Sequence, residues 1–137
     1  MKDEVFLDTA DAIALSSLSD DFHQRAVQLA REIRAAETRL VTTRAIMLEI
    51  GNALSRQARR HAGIRLLAAH EVDSRVEIVR LSEQLYERAW LLFRERPDKE
   101  WGLTDCVSFI VMQDRGLTEA LTTDEHFQQA GFQPLMR

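Results

Sequence analysis

What most limits the fold of this 137-residue chain is the alternation of short β-type apolar runs with longer helical patterns. "VFL" (5–7) is a first strand, and the "DTAD" after it suits a helix start. "FHQRAVQLAREIRAA" (22–36) carries Phe22, Ala26, Leu29, Ala30 and Ile33 at helical spacing. "RLVTT" (39–43) is a second strand, and "RAIMLEIGNALSRQARRH" (44–61) reads as one helix with Ile46, Met47, Ile50 and Leu54 inward. A shorter helix is expected over 64–70, a third strand in "VEIVRL" (76–81) and a helix over 82–94. The loop "RPDKEWG" then leads into a helix stopped by Gly116. "EALTT" (119–123) is a fourth strand and "DEHFQQA" a short helix ended by Gly131. "FQPL" is an edge strand, because Pro134 cannot donate to a central ladder. This alternation predicts an α/β fold: a mostly parallel sheet of four or five strands, helices on both faces, and one domain over 1–137.

The helix in "WGLTDCVSFIVMQDRG" (101–116) is apolar nearly all round, as in a buried helix. Yet Asp105 stands in its first turn, with Thr104 beside it and Ser108 one turn on. In a parallel sheet, ligand sites collect at the carboxyl ends of the strands. Asp8 follows the first strand and Asp124 the fourth, and a right-handed crossover brings the head of the Asp105 helix to the same edge. Glu49 lies deeper, within the helix after the second strand. Each acid also has an ordinary reading. Asp8 and Asp124 suit helix N-caps. Thr104 suits the cap of its helix, with Asp105 favoured by the dipole. Glu49 suits a solvated position beside Arg56. Taken together, though, facing carboxylates repel unless they bind protons or a cation. Oxygen ligands suit Mg²⁺ or Mn²⁺, and Thr9, Thr104 and Ser108 could hydrogen-bond the carboxylates or the ion's waters.

A formal net charge of −4 means that the chain as a whole does not attract a polyanion, so a local basic patch or bound cations must do so. "SRQARRHAGIR" (55–65) is such a patch. Its arginines are either a solvated helix end, where cations suit the dipole, or a phosphate-binding strip with Arg56, Arg59 and Arg60 as candidates. An acidic partner segment is a third use. Arg56 falls two turns after Glu49 on nearly the same face of the expected helix. His23, His61, His70 and His126 show no zinc-ligand spacing and are read as structural or exposed. The lone Cys106 forms no internal disulfide and fits a reducing compartment. With no signal-peptide pattern and no apolar run of about 20 residues, the expectation is a soluble cytoplasmic protein.

"VFLDTADAIAL", "TTRAIMLEIGNAL", "WGLTDCVSF" and "EALTTDEHFQQAGF" together resemble, in order and spacing, the four acidic blocks of PIN-domain ribonucleases. The resemblance is to VapC-type toxins of toxin–antitoxin pairs in particular, and it covers nearly the whole chain. It implies a three-layer PIN-like domain and an Mg²⁺- or Mn²⁺-dependent endoribonuclease acting on RNA phosphodiester bonds. It also implies a homodimer and a cognate antitoxin. Asp8, Glu49, Asp105 and Asp124 would be its acidic site, with Thr9 and Thr104 as hydroxyl helpers. Ala10 departs from the pattern, where a serine, asparagine or similar polar residue is common. Two alternatives are a catalytically silent binding module on the same fold and a signalling receiver domain. The receiver needs a lysine after the last central strand, and the only lysines are Lys2 and Lys99.

Overall fold

The computed structural model describes all 137 residues. The chain runs β1 (Glu4–Leu7), α1 (Thr9–Ser16), α2 (His23–Ala36), β2 (Arg39–Thr43), α3 (Arg44–Ala53) and α4 (Gln57–Val72). It continues through β3 (Val76–Val79), α5 (Glu83–Glu95), α6 (Leu103–Arg115), β4 (Glu119–Leu121), α7 (Glu125–Gln129) and β5 (Gln133–Pro134). Five strands form one sheet in the order β3-β2-β1-β4-β5, and every pairing is parallel. Pro134 sits on the edge strand, where its missing N–H is harmless.

Side chains alternate between the faces of β1, and both faces are covered. Val5 and Leu7 join Ala14, Ala26 and Leu29 in one core cluster. Phe6 joins the larger cluster on the other face, with residues of α3, α5, α6 and α7. Burial on both sides is why the strands read as apolar runs rather than as apolar–polar alternation. α6 is the most buried helix, with seven consecutive buried residues from Cys106 to Met112. Its Phe109 meets Trp101 and Phe127 edge-on, each at 5.0 Å between ring centroids.

The expected helix over 44–61 is in fact two helices, with a joint at Leu54–Arg56. Gly51, Asn52 and Ser55 are weak helix formers, and the Ser55 hydroxyl donates to the Asn52 carbonyl at the end of α3. The short helix expected over 64–70 is the second half of α4. β3 and β4 stop two residues earlier than the apolar runs suggest, at Val79 and Leu121.

α4 folds back onto α3 at a very close approach. A Cβ on Gly63 would lie 2.9 Å from Leu54 Cβ and 3.3 Å from the Leu54 carbonyl oxygen. Gly63→Ala therefore sets helix propensity, a gain of about 1 kcal/mol, against overpacking, a cost of about 1–3 kcal/mol. Because the obstacle is a Cβ and a backbone oxygen, neither of which can swing aside, overpacking wins. Urea unfolding of Gly63→Ala should show a loss of about 1 kcal/mol; a gain of that size would show that the helices part without cost.

Candidate active site

The strand order reverses at β1, between β2 and β4, and this is the switch point at which ligands bind in open α/β sheets. Leu7 pairs in register with Leu121, so the next residues, Asp8 and Thr122, stand side by side. Thr122 Oγ1 donates to Asp8 Oδ2 at 2.7 Å and accepts from the Asp124 backbone N–H at 3.0 Å. One hydroxyl thus ties the acid after β1 to the acid after β4. Asp8 stands at the N-cap position of α1 but makes no side-chain cap bond.

Three further side chains converge on the same place. Asp105 Oδ2 accepts from the Gly102 N–H at 3.0 Å, so its carboxylate closes the start of α6 while facing the cleft. Asp124 Oδ1 accepts from the His126 N–H at 2.9 Å as the cap of α7. His126 Nδ1 lies 3.3 Å from Asp105 Oδ2 and 3.3 Å from Asp124 Oδ1. On the α3 side, Thr9 Oγ1 donates to Glu49 Oε1. Asp8, Thr9, Glu49, Glu100, Asp105, Asp124 and His126 all line one cleft of about 570 Å³.

The electrostatics of the cleft are set by burial and by the facing carboxylates. Burial pushes the Asp8 carboxyl from the usual 3.8 up to about 7, and the charges of Asp105 and Glu49 add to the rise. The hydroxyl of Thr122 and the backbone N–H of Thr9 oppose it. Asp105 is also raised, by burial first and by Asp124 after the opposing Gly102 hydrogen bond, while His126 lowers it. The donors, carboxylate oxygens with one imidazole nitrogen, fit a divalent cation.

The PIN domain family model matches residues 5–133 of the chain. The chain belongs to the PIN domain family. It is 27% identical over 129 residues to the 23S rRNA-specific endonuclease VapC20 of Mycobacterium tuberculosis, in strains CDC 1551 / Oshkosh and ATCC 25618 / H37Rv. That match covers 93% of this chain and 95% of the relative. The crystal structure of Mycobacterium tuberculosis VapC20, described as a Sarcin-Ricin loop cleaving toxin, superposes with a TM-score of 0.81 at 26% identity, covering 93% of this chain and 95% of that one.

In this PIN domain all four acids picked out from the sequence reach one cleft, and so does Thr9. Thr104 and Ser108 do not. The buried Ser108 hydroxyl donates to the Thr104 carbonyl within α6, and neither residue lines the cleft. Nor is Thr104 the cap of α6, because that position belongs to Gly102. The helix-end and cleft positions of Asp105 and Asp124 are compatible: Asp124 caps α7, Asp105 in the first turn of α6 accepts from the Gly102 backbone, and both carboxylates line the cleft. His126, which the sequence reading leaves as structural or exposed, also lines the cleft. Its signal was the Asp124–x–His126 spacing at a helix start, which places both side chains at one helix end. Glu100 and Thr122 were also missed, and nothing in their local sequence marks them.

Asp11 is buried beside this site without lining the cleft. Burial, then the charge of Asp8, pushes its carboxyl up to about 7. Since its folded value lies above its unfolded value, Asp11 leaves stability intact below about pH 4 and costs stability as pH rises through about 7. At about 1.4 kcal/mol for each pH unit between the two values, the cost at pH 8 is on the order of a few kcal/mol. Asp11→Asn should thus stabilise the chelator-treated protein at pH 8 by roughly 1–3 kcal/mol and by little at pH 4. Urea unfolding across that range checks this, and an equal pH slope in variant and wild type would refute it.

Proposed function

We propose that this PIN domain is a metal-dependent endoribonuclease, the toxin of a VapC-type toxin–antitoxin pair. The observation that carries the reading is the convergence of Asp8, Glu49, Asp105 and Asp124 on one cleft at the sheet's switch point. Asp8, Asp105 and Asp124 are the proposed holders of Mg²⁺ or Mn²⁺. Glu49, steadied by Thr9, is placed to orient water or to bind a second ion. The chemistry such an ion supplies when bound is Lewis acidity toward a phosphoryl oxygen and acidification of water. The chain's own part is to hold these carboxylates in fixed positions at one cleft, with Thr122, Gly102 and Thr9 donating hydrogen bonds to Asp8, Asp105 and Glu49. By likeness to VapC20, 23S rRNA is the first substrate to test. A homodimer, a cognate antitoxin and a cytoplasmic location belong to the same reading. No helix is long and apolar enough to cross a membrane.

Arg56, Arg59 and Arg60 are the proposed RNA-phosphate contacts, on grounds that the structure changes. Arg56 is not on the face of α3 that carries Glu49; it is the N-cap residue of α4. Ala53, three residues earlier, lines the cleft. The arginines therefore occupy a helix N-terminus with no acid in the first turn and no side-chain cap, where cations oppose the dipole. The dipole explanation for an ordinary helix end is thereby removed. The six arginine–carboxylate pairs of the molecule all lie elsewhere. Arg60 donates to the Ser55 carbonyl at 2.9 Å, but none of the three has a carboxylate partner, and exposed cations a few residues on from the cleft-lining Ala53 suit a phosphate backbone.

Purified protein incubated with labelled RNA should cleave it with Mg²⁺ or Mn²⁺ and not with chelator. Asp105→Asn should lower turnover by more than the roughly 10–100-fold typical of a metal site's outer partners; near wild-type turnover at matched metal would exclude Asp105 from the site. Absence of metal-dependent cleavage on several RNA classes, 23S rRNA included, would favour the silent binding module.

Replacing Arg56, Arg59 and Arg60 together with alanine should move two measurements in opposite directions. RNA affinity should fall, with a salt dependence shallower by up to about 0.7 per lost contact. Stability should rise by a few tenths of a kcal/mol for each of Arg56 and Arg59 as the dipole conflict is relieved, the Arg60 gain being offset by the loss of its bond to the Ser55 carbonyl. An unchanged salt slope would return these arginines to a purely solvated role.

A further inference from the structure

His126 enters the cleft from the first turn of α7, and its ring nitrogen faces two carboxylates rather than the core. Nδ1 stands 3.3 Å from an oxygen of Asp105 and 3.3 Å from an oxygen of Asp124. One donor atom from each of the three side chains lies within 4.8 Å of the others. Neighbouring donors on an octahedral ion, each about 2.1 Å from it, stand about 3 Å apart. The separations of Nδ1 from one oxygen of each carboxylate are within a few tenths of an ångström of that spacing. The buried Asp8 carboxylate lines the same cleft, so the set is not exposed acids alone. The other histidines are elsewhere: His23 Nδ1 pairs with the Ala14 carbonyl at 2.8 Å, and His61 and His70 lie on α4.

An imidazole changes which ion is preferred. Mg²⁺ is bound through oxygen and keeps its waters, whereas imidazole suits later divalent ions and is accepted by Mn²⁺ more readily than by Mg²⁺. Resting on the metal-nuclease reading above, we propose that His126 is a direct metal ligand, with Asp105 and Asp124, and that it makes this site select Mn²⁺ over Mg²⁺. The hydrogen bond from the His126 backbone N–H to Asp124 Oδ1 holds residue and ligand partner in one turn. His126 is thus placed by the same short helix that places Asp124.

Pulsed electron paramagnetic resonance on the 137-residue protein loaded with Mn²⁺ is the test. A ¹⁴N coupling of the size given by a directly bound imidazole is expected, and it should vanish in His126→Gln. Calorimetric titration with each metal should show His126→Gln losing about tenfold or more in Mn²⁺ affinity, with Mg²⁺ affinity changing less than about threefold. An oxygen-only Mn²⁺ shell, or equal losses for both metals, would overturn the proposal and leave the nuclease reading standing. Failure of Mn²⁺ to bind the wild type at all would overturn both. Circular dichroism establishes that the variant is folded, and if it is not, the wild-type spectrum alone decides.

Discussion

The site depends first on the register between β1 and β4. Leu7 opposite Leu121 places Asp8 beside Thr122, and the Thr122 hydroxyl then bridges from the Asp8 carboxylate to the Asp124 backbone. A one-residue slip would turn every β1 side chain to the opposite face. It would exchange Phe6 with Val5 and Leu7 across the sheet and carry Asp8 away from its partner. Both faces of β1 are filled by unlike side chains, so packing enforces the register and the register builds the site. Thr42 strengthens the same edge by donating to the Leu7 carbonyl at 2.9 Å.

Upon that frame the chain carries an electrostatic conflict. Asp8 and Asp11 are buried acids one helical turn apart, and Asp105 stands at the head of the most buried helix. Carboxylates so placed must be protonated or neutralised by a cation. Hydrogen bonds ease the conflict only in part: Gly102 donates to Asp105, Thr122 to Asp8 and Thr9 to Glu49. A fold that tolerates this strain at one edge while packing the rest closely is behaving as functional sites commonly do. The arginines at the start of α4 repeat the pattern with the opposite sign, since cations are held where the helix dipole disfavours them.

The parallel α/β architecture was legible because each central strand is a short apolar run, and the acids after β1 and β4 were legible because a strand end fixes where the next residue lies. Glu49, one and a half turns into α3, was legible as a member of a family pattern but not from spacing alone, since its position rests on how α3 crosses the edge. The break between α3 and α4 was missed because no proline marks it: Gly51, Asn52 and Ser55 only weaken the helix, and the close approach of Leu54 to Gly63 that accompanies the break leaves no periodic trace. That miss misplaced Arg56. Ser108 was assigned to the site because it lies one turn from Thr104, yet its face of α6 is turned to the core. His126 was passed over because zinc-type spacing was the criterion, whereas its partners are Asp105, which is remote in sequence, and Asp124, which is two residues away.

The central claim is that these carboxylates form an ion site, and urea unfolding at pH 8, with chelator and with Mn²⁺, tests it on the wild type and on Asp8→Asn. Asp8 is the decisive position because it makes no side-chain cap bond and because the cost of burying its charge outweighs the hydrogen bonds that Thr122 and the Thr9 backbone give it. The account predicts that Mn²⁺ at about 100 times its dissociation constant stabilises the wild type by about 2.7 kcal/mol. It also predicts that Asp8→Asn is more stable than the wild type in chelator and gains much less from the metal. A wild type indifferent to Mn²⁺, together with a variant that is less stable in chelator, would contradict it.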